Sequence, residues 1–167
     1  EYPTLYAAEK VNADVLVMGA SRAMQQINPQ YIEDSLQYSA YNVGRDGMPF
    51  FYSYTLLQMI LKRYTPKMII LDSEYKMLME VPNHYDRLSV FLPLYKDHPE
   101  IRDIVKLRSP FEPYKQISSV YPYNSMLFKL LKGNFSAAEK NIKGYYPLEE
   151  SLNEPIKTWD YTKPYAL

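Results

Sequence analysis

The chain has 167 residues, enough for one domain with a proper core or one domain carrying a sizeable insertion. Nineteen basic and nineteen acidic side chains cancel, which removes the electrostatic case for a nucleic-acid or anionic-lipid partner. With no cysteine there are no disulfides, no thiol chemistry and no cysteine-bound metal, and two histidines are too few for a zinc site, so neither metal nor cofactor is expected.

In chain order, the first informative stretch is DVLVMGASRAMQQINP, residues 14–29. An apolar run predicts a strand over 14–18, stopped at Gly19. Ala20, Ser21 and Arg22 then open a helix-like segment. Strand, tight turn with a serine, helix is the layout that exposes a hydroxyl at the rim of a parallel sheet. Asn28-Pro29 reads as a helix cap with proline in the first turn, followed by Ile32 and Leu36 on one face. Residues 39–43 predict a second strand, closed by NVGRDG. Residues 50–64 predict a helix with broad apolar cover, ended by Thr65-Pro66. Residues 67–72 are a third strand, apolar on both faces and so expected to be buried in a parallel sheet.

Beyond Lys76 the pattern changes to helices broken by prolines. Asp97-His98-Pro99-Glu100 has capping-box spacing with proline in the first turn, and Ser109-Pro110-Phe111-Glu112 repeats the device. Residues 124–132 place Met126, Leu127, Leu130 and Leu131 on a helical stripe that stops at Gly133. From Gly144 onward the sequence looks irregular. The organisation expected is an α/β domain over 1–76, then a mostly helical insertion or cap with an irregular tail over 77–167. Eighteen tyrosines, nine up to Tyr75 and nine from Tyr85 onward, are spread evenly and read as half-buried amphipathic packing, with room among them for a sugar-stacking ring. The apolar runs are too short to cross a bilayer and no leader opens the sequence, so membrane association is expected only through a segment outside these residues.

Right-handed crossovers place the carboxyl ends of three parallel strands on one edge, where doubly wound sheets bind ligands. Ser21, the Gly44–Gly47 loop and Asp72-Ser73-Glu74 are therefore expected to meet on one rim. Three of the five glycines, Gly19, Gly44 and Gly47, follow the first two strands, either as ordinary turns or for close approach of a ligand. Backbone N–H groups of residues 20–22 and of Gly47 then face a developing oxyanion. Arg22 has two readings, a hold on an anionic or sugar substrate and a surface salt bridge.

GASRA after the first strand and NVGRDG after the second resemble the first two blocks of the SGNH/GDSL hydrolases. The likeness is closest to envelope-associated SGNH-like proteins of bacteria with a GSSRA-type turn, and it covers residues 13–76. The resemblance implies a flavodoxin-like three-layer αβα fold and a cell-envelope or periplasmic location. It also implies an esterase or O-acyltransferase acting on acylated carbohydrate, with Ser21 as nucleophile and oxyanion donor and Gly47 as a second oxyanion donor. Gly44 falls on the turn, and Arg22, Gly44, Asp72 and Glu74 line the substrate side of the rim.

Two departures accompany the likeness. The third strand ends in LDSEYK, without the asparagine that completes the oxyanion hole in the superfamily, and no aspartate-x-x-histidine spacing occurs anywhere. His84 and His98 are the only histidines to stand in as base, and each also has a bland reading as a surface or capping residue. The expectation is that the remaining strands and the aspartate/histidine block follow Leu167. Two other readings stay open: a non-catalytic relative that binds a glycan on the same rim, and a structural domain in which Ser21 merely caps a helix.

Overall fold

The computed structural model describes residues 2–79, 82–124 and 141–148. Three short strands, β1 (Val15–Met18), β2 (Ala40–Asn42) and β3 (Met68–Leu71), form one parallel sheet in the order β2-β1-β3. Helices intervene: α1 (Tyr2–Glu9), α2 (Ser21–Gln26), α3 (Pro29–Leu36) and α4 (Phe50–Arg63). The chain is therefore an α/β protein, as the alternation of its first half predicts. The register sets Val15 opposite Ala40 and Met68, and Leu16 opposite Tyr41 and Ile69.

The strand starts are held together by one residue. Asp14 accepts from the Ser39 N–H and hydroxyl and from the Lys67 ammonium, while its own N–H donates to Ser39 Oγ at 2.9 Å. The Lys67 and Ser39 bonds hold its carboxyl below the usual aspartate range.

β1 is buried along its whole length, with alternate residues facing opposite sides. Leu16 and Met18 join a core built from α1, α4 and the segment 88–105, where Tyr52 of α4 meets Phe91 with ring centroids 5.3 Å apart. The Asn28 cap takes the form its sequence suggests, its Oδ1 accepting from the Gln30 N–H with Pro29 at the first helical position.

Helix α1 has no counterpart in the sequence reading. It has a weak apolar stripe and no acidic residue in its first turn. Tertiary contacts supply what it lacks: the Arg63 guanidinium donates to the carbonyls of Ala7 and Ala8, orphan acceptors of the helix end, and to that of Val11 just beyond it.

Three expectations need correction. β3 is an outer strand, and Met68, Ile69 and Leu71 are 43 %, 40 % and 44 % exposed. Its apolar character on both faces is real, but among the described residues nothing pairs with its outer edge. At Asp97–Glu100, His98 takes the cap position without a side-chain cap bond, and Pro99–Ile101 is a 3₁₀ turn. Glu100 instead bonds His98 Nδ1 at 2.8 Å. At Ser109–Glu112 the serine hydroxyl does accept from the Phe111 N–H, but Glu112 is fully buried and faces Arg108, Lys115 and the Tyr121 hydroxyl rather than solvent. A buried carboxylate needs those partners more than a helix start does. The predicted helix over 124–132, apart from Asn124 itself, and the tail beyond residue 148 lie outside the described residues.

Candidate functional site

The turn after β1 needs glycine. Gly19 has φ +147°, and a β-carbon there would lie 2.7 Å from the Asp72 carbonyl oxygen and 2.8 Å from Ala23 Cβ. β1, the start of α2 and the end of β3 thus pack without room for a side chain. α2 begins at Ser21, with Ala20 at the cap position and no side-chain cap bond. Ser21 does not cap this helix, in contrast to the structural reading of that serine. Its hydroxyl is half-buried and has no hydrogen-bond partner among the described residues. The N–H groups of Ser21 and Arg22 belong to the first turn and find no acceptor within α2.

The loop after β2 is tied to this turn from two directions. The Arg45 N–H donates to the Gly19 carbonyl at 3.1 Å. Asn42, buried at the end of β2, donates to the carbonyls of Ala23 and Ile27 and accepts from the Gly44 N–H. All of its polar capacity but one lone pair is spent on holding α2 against the loop. A β-carbon on Gly44 would lie 2.9 Å from Ala23 Cβ, so Gly44 is a packing glycine. Met48 N–H closes a turn onto the Arg45 carbonyl, with Gly47 at φ +66° in its third position. That is the type II pattern, which calls for glycine there.

The third strand's end completes the rim. The Asp72 N–H donates to the Met18 carbonyl, and Arg22 grips the Asp72 carboxylate with two bonds, at 2.9 and 3.3 Å. Glu74 stands 3.8 Å from the same guanidinium. Ser21, Arg22, Gly44, Gly47, Asp72 and Glu74 are therefore gathered at one edge of the sheet. Arg22 bonds Asp72 and lies at ion-pair distance from Glu74, the salt-bridge reading of Arg22, and such a half-exposed pair contributes less than about 1 kcal/mol.

Neither histidine reaches Ser21. His84 lies in α6 (Pro82–Asp86), the helix after α5 (Tyr75–Leu78), and has no hydrogen-bond partner among the described residues. His98 is spent on Glu100. Burial works against the charge on Glu100, but the His98 bond prevails and leaves its carboxyl below the usual range. A serine without a base is a weak nucleophile. No group of side chains among the described residues has the makings of a metal site.

Two arginines escaped the sequence reading. The Arg87 guanidinium lies 3.8 Å from where a Gly47 β-carbon would sit, so the segment after Lys76 brings a cation to the predicted oxyanion loop. Arg45 borders a cleft of about 670 Å³ with Tyr6, Tyr41, Tyr52 and Tyr146. Its place in NVGRDG is legible in the sequence, but α1 forms a wall of the cleft, and the weak apolar stripe of α1 gives little sequence signal. The chain matches no protein-family model, no curated protein and no solved structure.

Proposed function

We propose that this chain carries the nucleophile half of an SGNH-type acyl-transfer site, an esterase or O-acyltransferase acting on acylated carbohydrate of the cell envelope. The observation that carries the reading is the Ser21 hydroxyl, without a hydrogen-bond partner among the described residues, at the carboxyl edge of a sheet ordered β2-β1-β3. That order is the start of the flavodoxin-like order 2-1-3-4-5, whose ligand crevice lies between β1 and β3. Ser21 follows β1, Asp72 and Glu74 follow β3, and the apolar edge of β3, unpaired among the described residues, is where this order sets its next strand. In the reaction, Ser21 Oγ attacks the acyl carbon and passes its proton to a base from outside the described residues. The N–H groups of Ser21 and Gly47 hold the oxyanion, with the Arg87 charge beside them. Collapse of the intermediate breaks the ester bond, the base returns its proton to the departing sugar oxygen, and the acyl group stays on Ser21 until water or an acceptor hydroxyl attacks it and frees the serine.

A fluorophosphonate probe applied to the full-length natural protein tests this. Labelling that disappears in Ser21→Ala supports the reading; a wild type that does not label, or a Ser21→Ala variant that labels equally, sinks it. The second reading, a non-catalytic saccharide-binding relative, is favoured by the lack, among the described residues, of a base bonded to Ser21. It predicts no labelling together with saccharide binding that survives Ser21→Ala.

A further inference from the structure

The cleft beside Arg45 shares α2 and the loop after β2 with the Ser21 rim, but Ser21 does not line it, and α1 and the hairpin at residues 141–146 take the place of β3. Its walls are α1, the end of α2, the loop after β2 and the hairpin at residues 141–146. At about 670 Å³ it lies within the range of small-molecule sites. Tyr6 and Tyr41 form one wall with ring centroids 5.9 Å apart. The hairpin side is pinned by the Tyr146 N–H, which donates to the Met24 carbonyl at 3.0 Å.

Arg45 supplies the charge. Its backbone is locked by the bond to Gly19 and by the turn onto Met48. Its half-buried guanidinium donates from Nη1 to Thr4 Oγ1, and among the described residues it has no carboxylate partner. A guanidinium has five N–H donors in a fixed fork, so one bond leaves most of the fork unspent. Thr4 is buried and shares a hydrogen bond with the Tyr52 hydroxyl at 3.1 Å. Burial pushes the Tyr52 phenol up, outweighing the Thr4 bond and the Arg45 charge, so this neighbour stays neutral. Two other charged residues line the cleft. Lys143 is spent on Glu33, and Asp46 is exposed, where solvent screens it.

We propose that this cleft binds a small organic anion, a carboxylate or phosphate monoester gripped by the Arg45 fork, with an apolar ring packed among the tyrosines. The guanidinium calls for an oxyanion, and the tyrosine-lined walls give an apolar ring a surface to pack on. The inference stands on the cleft and not on Ser21 acting as a nucleophile.

Titration of the full chain with benzoate, phenyl phosphate, benzyl alcohol and inorganic phosphate, followed by amide NMR shifts, tests it. Saturable shifts centred on Gly44, Arg45 and Tyr6 are expected with benzoate or phenyl phosphate, and whichever binds tighter identifies the oxyanion. Benzyl alcohol and inorganic phosphate are expected to bind at least about tenfold more weakly. Arg45→Gln should weaken the anion by about tenfold or more, and Arg45→Lys by less, since a point charge cannot reproduce the fork. If Arg45→Gln does not fold, Tyr6→Ala, on the exposed face of α1, carries the test and should weaken both ring-bearing anions. Ser21→Ala should change nothing, which separates this proposal from the serine reading. The idea is overturned by no saturable binding of either anion, by equal binding of benzyl alcohol or inorganic phosphate, or by unchanged affinity in folded Arg45 and Tyr6 variants.

Discussion

Along β2 the outer backbone of the sheet is met by the chain itself, whereas along β3 no described residue meets it. On the β2 side the Asn42 N–H donates to the Lys143 carbonyl at 2.9 Å, and Lys143 pairs with Glu33, which also accepts from the Ala40 N–H. The approach is so close that a β-carbon on Gly144, at φ +82°, would fall 1.8 Å from the Asn42 carbonyl oxygen. On the β3 side three large apolar residues stand in solvent. The difference teaches that apolar composition does not report burial: polar-flanked AYN is covered and MIIL is open. An edge is finished by backbone partners, and those come from distant sequence.

The largest expected effect tests the contrast between centre and open edge. Leu16 and Ile69 face each other in register, yet only Leu16 is buried. Leu16→Ala should cost about 2–5 kcal/mol in urea denaturation. Ile69→Ala should cost about 1 kcal/mol or less, and equal losses would mean that β3's edge is covered in solution.

Asn42→Asp comes next. It removes both donations to the Ala23 and Ile27 carbonyls and sets a carboxylate against them, at an expected cost of about 2–4 kcal/mol. The urea midpoint reports it, and a shift near zero would deny Asn42 its place as the link between α2 and the loop.

Gly144→Ala should undock the hairpin rather than unfold the sheet. Hydrogen exchange at the Asn42 amide is expected to rise at least about tenfold, with a stability loss of about 1–2 kcal/mol from the left-handed backbone alone. Unchanged exchange would mean that the β2 edge is not held by this segment.

The smallest effect is one of pH. The Lys143 ammonium and the Ala40 N–H hold the Glu33 carboxyl below the usual glutamate range. A depressed carboxyl contributes stability above its unfolded value and loses it as pH falls through the folded one. Protection of the Asn42 amide should therefore fall on acidification, and Glu33→Gln should flatten that dependence at a cost within about 1 kcal/mol.

Local chemistry alone determined the strands, the Asn28-Pro29 cap, the length of α4 and the gathering of Ser21, Gly47, Asp72 and Glu74 on one rim. Each follows from a short-range rule: apolar runs make strands, a side-chain acceptor starts a helix, and parallel strands end on the same side. Only the tertiary structure decided the rest. α1 holds its end through Arg63, more than fifty positions away, and with α1 came the Arg45 cleft. Arg22 turned to Asp72, Asn42 became the link between α2 and its loop, and no described residue covered the edge of β3, because each depends on which partner arrives from far along the chain.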